Sequence, residues 1–342
     1  MTIQIPQTMK AIGYKHAGVI TAQDSLVDIT LPVVMPESRD LLVAVKAISV
    51  NPVDVKIRAN VSSQTDTYKV LGWDVSGIVV AKGADATEFN IGDEVFYAGD
   101  LTRQGSNSEY HLIDERIVGR KPMSISHEAA AALPLTAITA WEMLFDRFGI
   151  EQGQKDESIL IIGGAGGVSS IAIQLLKAKT HLTVIGTASR AESEQWVKSM
   201  GADFVINHNE SLADQLKTLE ITPKYVFSTN HSDQHCREVV ALIQPQGHFG
   251  LIDDPETLDI TAFKVKSTSI HWEFMYTRSM FKTSDMAKQG ELLTEVARLV
   301  DAGIIQSTLT ESFGVISAEN LKKAHTLIES GRAIGKVVLA GF

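Results

Sequence analysis

The chain has 342 residues, of which 44% are hydrophobic and 21% are charged, and this ordinary globular composition excludes the disordered and low-complexity classes. At about 150 residues per domain, the length predicts two domains. The net charge of −10, without any basic run, disfavours nucleic-acid binding through phosphate contacts. The single Cys excludes an intrachain disulfide and any zinc site with two or more thiolates.

The first 124 residues are predicted to form a small β-rich domain, barrel-like or sandwich-like. Strand-like stretches occupy Leu41–Ser49, Val75–Ala81 and Glu94–Tyr97, and no helical period dominates this part of the chain. The N-terminal residues do not resemble a secretory signal, and no apolar run approaches the roughly 18–20 residues that cross a bilayer. We therefore expect a cytoplasmic protein without a membrane partner.

From residue 125 onward, the pattern changes to helices and strands in alternation. The predicted helices are Ser126–Leu133, Thr139–Arg147, Val168–Lys179 and Ala191–Met200. The predicted strands are Ile159–Ile162, Leu182–Gly186, Phe204–Ile206, Tyr225–Phe227, His248–Ile252 and Thr268–Trp272. Such alternation implies right-handed crossovers and a doubly wound parallel sheet, so the fold class is α/β. Towards the C-terminus the predicted elements are a helix from Leu292, a strand at Ser312–Val315, a helix at Ala318–Glu329 and a strand at Gly335–Leu339.

A glycine cluster connects the strand Ile159–Ile162 to the helix that follows it. A pyrophosphate needs close backbone approach, free N–H groups and the positive end of a helix dipole, and this arrangement offers all three. Ser169 stands where a third glycine usually allows the helix to pack closely on the strand. Because no Gly-Lys-Ser/Thr follows, the loop predicts dinucleotide binding rather than a P-loop. The loop residues are Gly163, Gly164, Ala165, Gly166, Gly167 and Val168.

The end of the second strand of the alternating region bears on the choice of cofactor. An acid there would bind the ribose 2′-hydroxyl of NAD, but this chain has Thr187, Ser189 and Arg190 and no Asp or Glu. Hydroxyl groups and a guanidinium suit a 2′-phosphate, because Arg forms charge-assisted and often bidentate bonds to it. The residues favour NADPH over NADH, the alternative being that Ser189 caps the next helix and Arg190 is solvated.

Several short motifs follow one another along nearly the whole chain. They are Asn51–Asp54, Leu71–Gly77, Gly92–Val95, Ala131–Trp141, the glycine loop, Gly201–Asn207 and Gly335–Val338. In this order they resemble the medium-chain dehydrogenase/reductase superfamily, in particular its quinone oxidoreductase-like branch and the proteins called zinc-type alcohol dehydrogenase-like.

The resemblance implies a GroES-like β-rich catalytic domain formed by residues 1–124 and 276–342, with a Rossmann NADP-binding domain, residues 125–275, inserted between them. It also implies an active site in the cleft between the domains, and a homodimer. Asn51 is expected near the nicotinamide, Thr139 on its other side, and Lys336 in a strand that returns to the cofactor. The remaining implied contacts are Gly166, Gly167 and Val168 at the pyrophosphate, Ser189, Arg190 and His208 at the 2′-phosphate, and Thr229, Phe249 and Leu251 at the ends of the fourth and fifth strands.

Zinc-dependent members of the superfamily bind zinc through an early Cys, a His-Glu pair and a later Cys or acid, and this chain lacks that set. The pair reads Trp73-Asp74, the early region reads Asn51–Asp54, and the later position falls near Leu135. We therefore expect no metal. A site without zinc has no Lewis acid to stabilise an alkoxide, whereas quinones and α,β-unsaturated carbonyls accept hydride without one. The sequence thus predicts hydride transfer from NADPH to a quinone or an α,β-unsaturated carbonyl.

The catalytic candidates are Asn51, Asp54 and Trp73. Trp73 is expected to shape an apolar acceptor pocket, and Asp54 and Lys56 are candidate proton donors, with a structural carboxylate as the favoured interpretation of Asp54. Two other functions stay open. One is a non-catalytic NADPH-binding redox sensor or partner-binding module, and the other is a zinc-dependent alcohol dehydrogenase with unusual ligands.

Two further segments have a functional and a structural interpretation. His231, His235 and Cys236 have a spacing that could suggest a metal, but Ser232 or Asp233 fits better as the N-cap of a helix. The segment His271–Tyr276 is either a substrate contact or a buried sixth strand followed by an interface segment.

Overall fold

The computed structural model describes residues 4–64 and 67–342. It divides into two compact units, which we call the catalytic unit (Met1–Ile138 with Tyr276–Phe342) and the cofactor unit (Thr139–Met275). The sequence set the first boundary at residues 124 and 125, earlier than the boundary between these units. Residues 125–138 belong with the catalytic unit because the helix His127–Ala131 packs on its strands. In the described residues, no helix is long and apolar enough to cross a membrane.

Most of the secondary-structure elements in the N-terminal part of the catalytic unit are strands. Its strands are β1 (Thr8–Tyr14), β2 (Val27–Pro32), β3 (Asp40–Val50), β4 (Lys69–Val70), β5 (Asp74–Lys82), β6 (Glu94–Ala98), β7 (Tyr110–Asp114) and β8 (Val118–Arg120). Its helices are α1 (Pro52–Asn60), α2 (His127–Ala131) and the beginning of α3 (Pro134–Trp141). The sequence does not predict the strands β1, β2, β4, β7 and β8 or the helix α1. The start of α1 has a local signal nevertheless, since Asn51 is its N-cap residue and Pro52 its first residue.

The cofactor unit has the alternating pattern that its sequence predicts. Its strands are β9 (Ser158–Ile162), β10 (Thr183–Thr187), β11 (Phe204–Ile206), β12 (Tyr225–Ser228), β13 (His248–Leu251) and β14 (Ser269–Trp272). Its helices are α4 (Gly167–Lys179), α5 (Ala191–Ser199), α6 (Leu212–Thr218) and α7 (Ser232–Leu242). The strands are all parallel, in the order β11-β10-β9-β12-β13-β14, which is the doubly wound arrangement of a Rossmann-like domain. The predicted α/β fold class is confirmed.

The predicted helix Thr139–Arg147 is not one regular helix. α3 ends at Trp141, and a π-helical segment follows over Glu142–Arg147. Its Met143 packs so closely on Gly250 of β13 that a Cβ at Gly250 would overlap the Met143 sulfur. The wider π turn therefore fits a strand position that has no side chain, which a sequence pattern does not reveal.

The C-terminal part returns to the catalytic unit. Its elements are α8 (Thr277–Met280), α9 (Lys288–Asp301), β15 (Leu309–Ser312), α10 (Ala318–Glu329) and β16 (Lys336–Ala340). In the described residues, β15-β16-β3-β5-β6-β8 form one sheet, and β7 pairs with β3. β16 runs antiparallel to β3 with Val337 opposite Val50, so the last strand of the chain lies beside the end of β3 that leads into Asn51.

Candidate functional site

The glycine loop turns sharply after β9. Gly163 has a φ of +82°, a backbone conformation that side chains rarely adopt. A Cβ at Gly163 would lie 2.5 Å from Thr229 Oγ1 and 2.6 Å from Asn230 Oδ1. A Cβ at Gly164 would lie 2.9 Å from the carbonyl oxygen of Thr187. Both positions therefore need glycine because backbone and side chains approach from two neighbouring strands.

The end of the loop is the N-terminus of α4. Gly166 is the N-cap residue, and it has no side chain to cap the helix. Gly167 is the first helical residue and Val168 the second, while Ala165 lies in the turn before them. An N-terminus that no side chain caps leaves N–H groups of the first turn directed outward, which is the arrangement that anions bind.

Ser169 holds this helix against the sheet. Its side chain is fully buried, and its Oγ lies 3.2 Å from Thr229 Oγ1. The Thr229 hydroxyl in turn donates a hydrogen bond of 2.8 Å to the carbonyl of Ile162, the last residue of β9. A small polar residue thus stands between helix and strands where the sequence pattern usually has glycine.

The last residue of β10, Thr187, is hydrogen-bonded to the glycine loop. Thr187 is buried, and its Oγ1 accepts a hydrogen bond of 3.0 Å from the Gly163 N–H. The same oxygen lies 3.2 Å from His208 Nδ1, so the hydroxyl proton is available to that nitrogen. Burial lowers the pKa of His208, and the nearby His235, His231 and Arg190 lower it further. These effects favour the neutral form of the His208 side chain.

Two exposed residues follow Thr187. Ser189 and Arg190 are both exposed at the point where β10 leads into α5. The N-cap residue of α5 is Arg190, whose backbone N–H and carbonyl both bond to Ser193 Oγ. The alternative in which Ser189 caps this helix is wrong.

Other predicted cofactor contacts are core residues. Phe249 and Leu251 of β13 are fully buried, and Phe249 stacks on Phe263 with ring centroids 5.3 Å apart. Thr139 near the end of α3 is also buried, whereas Thr229 is partly exposed. Of this group, Thr229 has the exposure that a direct contact requires.

A buried polar cluster in the catalytic unit brings three segments together. Asp74, the first residue of β5, is fully buried. Its Oδ2 accepts hydrogen bonds from Asn51 Nδ2 (2.8 Å) and from Lys336 Nζ (3.0 Å). Its Oδ1 accepts one from the backbone N–H of Leu135 in the first turn of α3 (2.7 Å). The Lys336 ammonium also donates to Asn51 Oδ1 and to the Val50 carbonyl. We call Asn51, Asp74 and Lys336 the Asp74 cluster.

Asp54 lies beside this cluster and has a structural task. Its Oδ2 accepts from the Asn51 N–H (2.7 Å) and its Oδ1 from the Gly72 N–H (2.9 Å). Burial raises the pKa of Asp54 to about 7, although these two N–H groups and the charge of Lys336 oppose the rise. Lys56, the other candidate proton donor, is exposed on α1.

Trp73 lies inside the catalytic unit. It is 1% exposed, and its Nε1 donates a hydrogen bond of 3.3 Å to the Asp100 carbonyl. Its ring meets Tyr276 edge-on with centroids 6.2 Å apart. Such burial suits a residue that supports the interior more than one that forms an open pocket wall.

The positions that bear on metal binding lack a ligand set. In the described ranges 4–64 and 67–342, no group of three or more His, Cys, Asp or Glu side chains could hold a metal ion. Cys236 lies buried in α7, and burial raises its pKa, so the thiol is neither a ready ligand nor an activated nucleophile. The N-cap residue of α7 is His231, in a left-handed conformation, rather than Ser232 or Asp233.

Sequence reasoning missed the role of Asp74. It read this residue only as the partner of Trp73 in a vacant ligand position. A signal existed, because Asp74 is an acid at the start of a strand whose other members are almost all apolar or small. A buried acid of this kind needs a cation or several N–H donors.

Comparison with known proteins identifies the family. Residues 37–131 match the model of the alcohol dehydrogenase GroES-like domain, and residues 200–339 match that of zinc-binding dehydrogenases. A zinc-type alcohol dehydrogenase-like protein of Staphylococcus aureus (strain MSSA476) is 45% identical over 309 residues, covering 89% of this chain and 91% of the relative. The chain belongs to the medium-chain dehydrogenase/reductase superfamily.

Solved structures of this superfamily share the fold along the whole chain. The crystal structure of a putative zinc-dependent alcohol dehydrogenase from Rhizobium etli CFN 42 is 54% identical, with a TM-score of 0.96 and coverage of 98% of this chain and 99% of that one. The quinone oxidoreductase from Coxiella burnetii is 26% identical, with a TM-score of 0.80 and coverage of 98% and 100%. This medium-chain dehydrogenase/reductase therefore has a GroES-like and a Rossmann-like part, and it is an oxidoreductase whose fold suggests a nicotinamide cofactor.

Proposed function

We propose that this protein transfers hydride from NADPH to a quinone or an α,β-unsaturated carbonyl without zinc. The observation that carries the proposal is the Trp73-Asp74 pair at the position where zinc-dependent members have His-Glu. An indole offers no metal ligand, and the Asp74 carboxylate is already occupied by Asn51, Lys336 and the Leu135 N–H. The residues present therefore do not fit a catalytic zinc.

The glycine loop fits a dinucleotide. Gly163 and Gly164 let the loop turn closely against Thr187 and Thr229, and the N-terminus of α4 that follows offers N–H groups to the pyrophosphate. Ser189 and Arg190 are exposed where a 2′-phosphate would lie, and neither position is an acid. These residues would hold NADPH, which supplies the hydride when bound.

The acceptor follows from what the catalytic unit lacks. Oxidation of a simple alcohol needs a group that stabilises an alkoxide, and Lys336, the cation of the Asp74 cluster, already donates to Val50, Asn51 and Asp74. A quinone or an enone is already electrophilic, so the protein needs only to orient it and exclude water. The similarity to the quinone oxidoreductase of Coxiella burnetii supports this acceptor class. We further propose a homodimer, on the resemblance alone, and a cytoplasmic location.

Steady-state oxidation of NADPH tests the proposal. The panel contains 1,4-benzoquinone, 9,10-phenanthrenequinone, a small enone and an enal, and it is run with and without a zinc chelator. We expect turnover with at least one acceptor and no effect of the chelator. Tight NADPH binding without turnover of any acceptor would instead favour the non-catalytic NADPH-binding alternative. Loss of activity on chelation, with stoichiometric zinc in the purified protein, would favour the zinc-dependent alternative.

A further inference from the structure

The geometry of the Asp74 cluster points to Asp74 and Lys336 as positioning residues. We propose that their buried ion pair holds the Asn51 carboxamide in a single orientation for hydride transfer, and that Lys336 does not bind the cofactor. The inference rests on the proposed function for the role of Asn51, and on hydrogen bonds within the catalytic unit for the rest.

The amide of Asn51 lies between two opposite charges. Its oxygen accepts from the Lys336 ammonium, and its nitrogen donates to the Asp74 carboxylate at 2.8 Å. A rotation of the amide by half a turn would place its N–H groups against the ammonium and its oxygen against the carboxylate. Both contacts would become repulsive, and burial strengthens that repulsion because the surroundings have a low dielectric constant. One orientation is therefore strongly preferred.

The ammonium of Lys336 has no donor left for a cofactor. It has three N–H donors, and the structure gives them three acceptors: Val50 carbonyl (3.2 Å), Asn51 Oδ1 and Asp74 Oδ2 (3.0 Å). The residue is buried in β16. A direct contact with a phosphate would have to break one of these hydrogen bonds. Lys336 therefore affects the reaction through its contacts with Asn51 and Asp74.

Asp74 also fixes the start of α3. Its second oxygen accepts the N–H of Leu135, one of the first-turn donors that have no partner within the helix. Thr139, which the resemblance expects beside the nicotinamide, lies four residues further along the same helix. One carboxylate thus sets both the Asn51 amide and the N-terminal end of the helix that carries Thr139.

Three variants test the inference. Asp74→Asn removes the carboxylate with little change in shape, Lys336→Met removes the cation, and the double variant removes both charges so that neither is left buried without a partner. The matched control is Asp40→Asn, which removes a two-bond ion pair with Arg103 at the opposite end of β3. A further variant, Lys336→Arg, tests whether a different cation at the same position restores activity.

Kinetics and NADPH binding give the first readout. We expect kcat with the best quinone or enone to fall 10- to 100-fold in both single variants, while the Kd for NADPH, measured by fluorescence, changes less than threefold. The double variant should be no slower than the slower single variant, because both substitutions disrupt the same ion pair and their effects are not additive. Lys336→Arg should recover part of kcat, and the control should remain within twofold of the wild type.

The second readout does not depend on activity. In protein labelled with [¹⁵N]asparagine, the Asn51 side-chain amide should give one sharp, slowly exchanging pair of signals, assigned by their loss in Asn51→Asp. The pair should broaden or exchange quickly in the double variant and stay unchanged in Asp40→Asn. An unchanged signal pair, or an unchanged kcat in the folded double variant, would overturn the inference. A loss of NADPH affinity that matches the loss of kcat in Lys336→Met would show direct cofactor binding instead. If the wild type reduces no acceptor, the proposed function fails, and the amide signals still decide whether Asp74 and Lys336 hold Asn51.

Discussion

The buried side chain of His325 makes the catalytic unit sensitive to acid. His325 lies on α10, is fully buried, and neither ring nitrogen has a hydrogen-bond partner in the described part of the chain. Burial and, to a smaller extent, the charge of Arg58 lower its pKa to about 3. In the folded protein this ring is therefore neutral at pH values well above 3.

The sign of the effect follows from proton uptake. In the unfolded chain the ring has a pKa near its ordinary value of about 6.5 and takes up a proton as the pH falls, whereas the folded state does not. The free energy of unfolding is therefore unaffected by this proton uptake above about pH 6.5, and it decreases as the pH falls from 6.5 towards 3. Between pH 8 and pH 5 this one group removes about 2 kcal/mol from the free energy of unfolding.

The variant His325→Leu removes the group and keeps an apolar side chain of similar size. The assay is urea unfolding followed by circular dichroism at pH 5, 6, 7 and 8. Between pH 8 and pH 5 we expect the variant to lose about 2 kcal/mol less than the wild type, whatever its stability at pH 8, because packing effects cancel in the difference. The matched control is His16→Leu, the same substitution at an exposed position. Parallel pH profiles for the wild type and His325→Leu would refute the reasoning.

Three other substitutions have defined outcomes. Burial raises the pKa of Asp54 to about 7, so the folded state binds its proton more tightly than the unfolded chain; its stabilising effect is complete below about pH 4 and lost as the pH rises through 7. In the same urea assay, the free energy of unfolding of Asp54→Asn should therefore rise by about 3 kcal/mol relative to that of the wild type between pH 5 and pH 8. The same difference between variant and wild type at both pH values would count against this prediction. Gly163→Ala should weaken NADPH binding at least tenfold by fluorescence titration, because its Cβ meets Thr229, while Gly149→Ala, also at positive φ but in open space, should leave NADPH binding unchanged. Arg190→Ala should raise the KM for NADPH much more than that for NADH, and equal effects on both would contradict the 2′-phosphate assignment.

Local features of the sequence were sufficient for much of the fold. The glycine loop and the strand and helix beside it were predictable because the pattern, the turn and the helix start lie within a dozen residues. The π-helical segment was not, since its packing partner Gly250, which contacts Met143, lies more than 100 residues later. The left-handed N-cap His231 was missed because Ser232 and Asp233, the better N-cap residue types, follow it directly.

The candidate site shows the same division. Asn51 and Asp54 stand three residues apart at the start of α1, so their relation is visible in the sequence. Lys336 and Asp74 are 262 residues apart and meet only because β16 pairs with β3. No periodicity links them, so the sequence predicts Lys336 at the cofactor and gives Asp74 no role beyond its place in the Trp73-Asp74 pair. The burial of Trp73 likewise involves Tyr276, which follows the cofactor unit in the sequence.

Deuterium transfer is the most direct test of the central claim. The protein is freed of metal by a chelator and incubated with NADPH that carries deuterium at both C4 positions of the nicotinamide, together with the best enone of the panel. The product is then examined by mass spectrometry. Direct hydride transfer without zinc predicts a product with one deuterium bound to carbon, formed at the same rate as by untreated protein. A product without deuterium, or no product until zinc is restored, would contradict the proposed function.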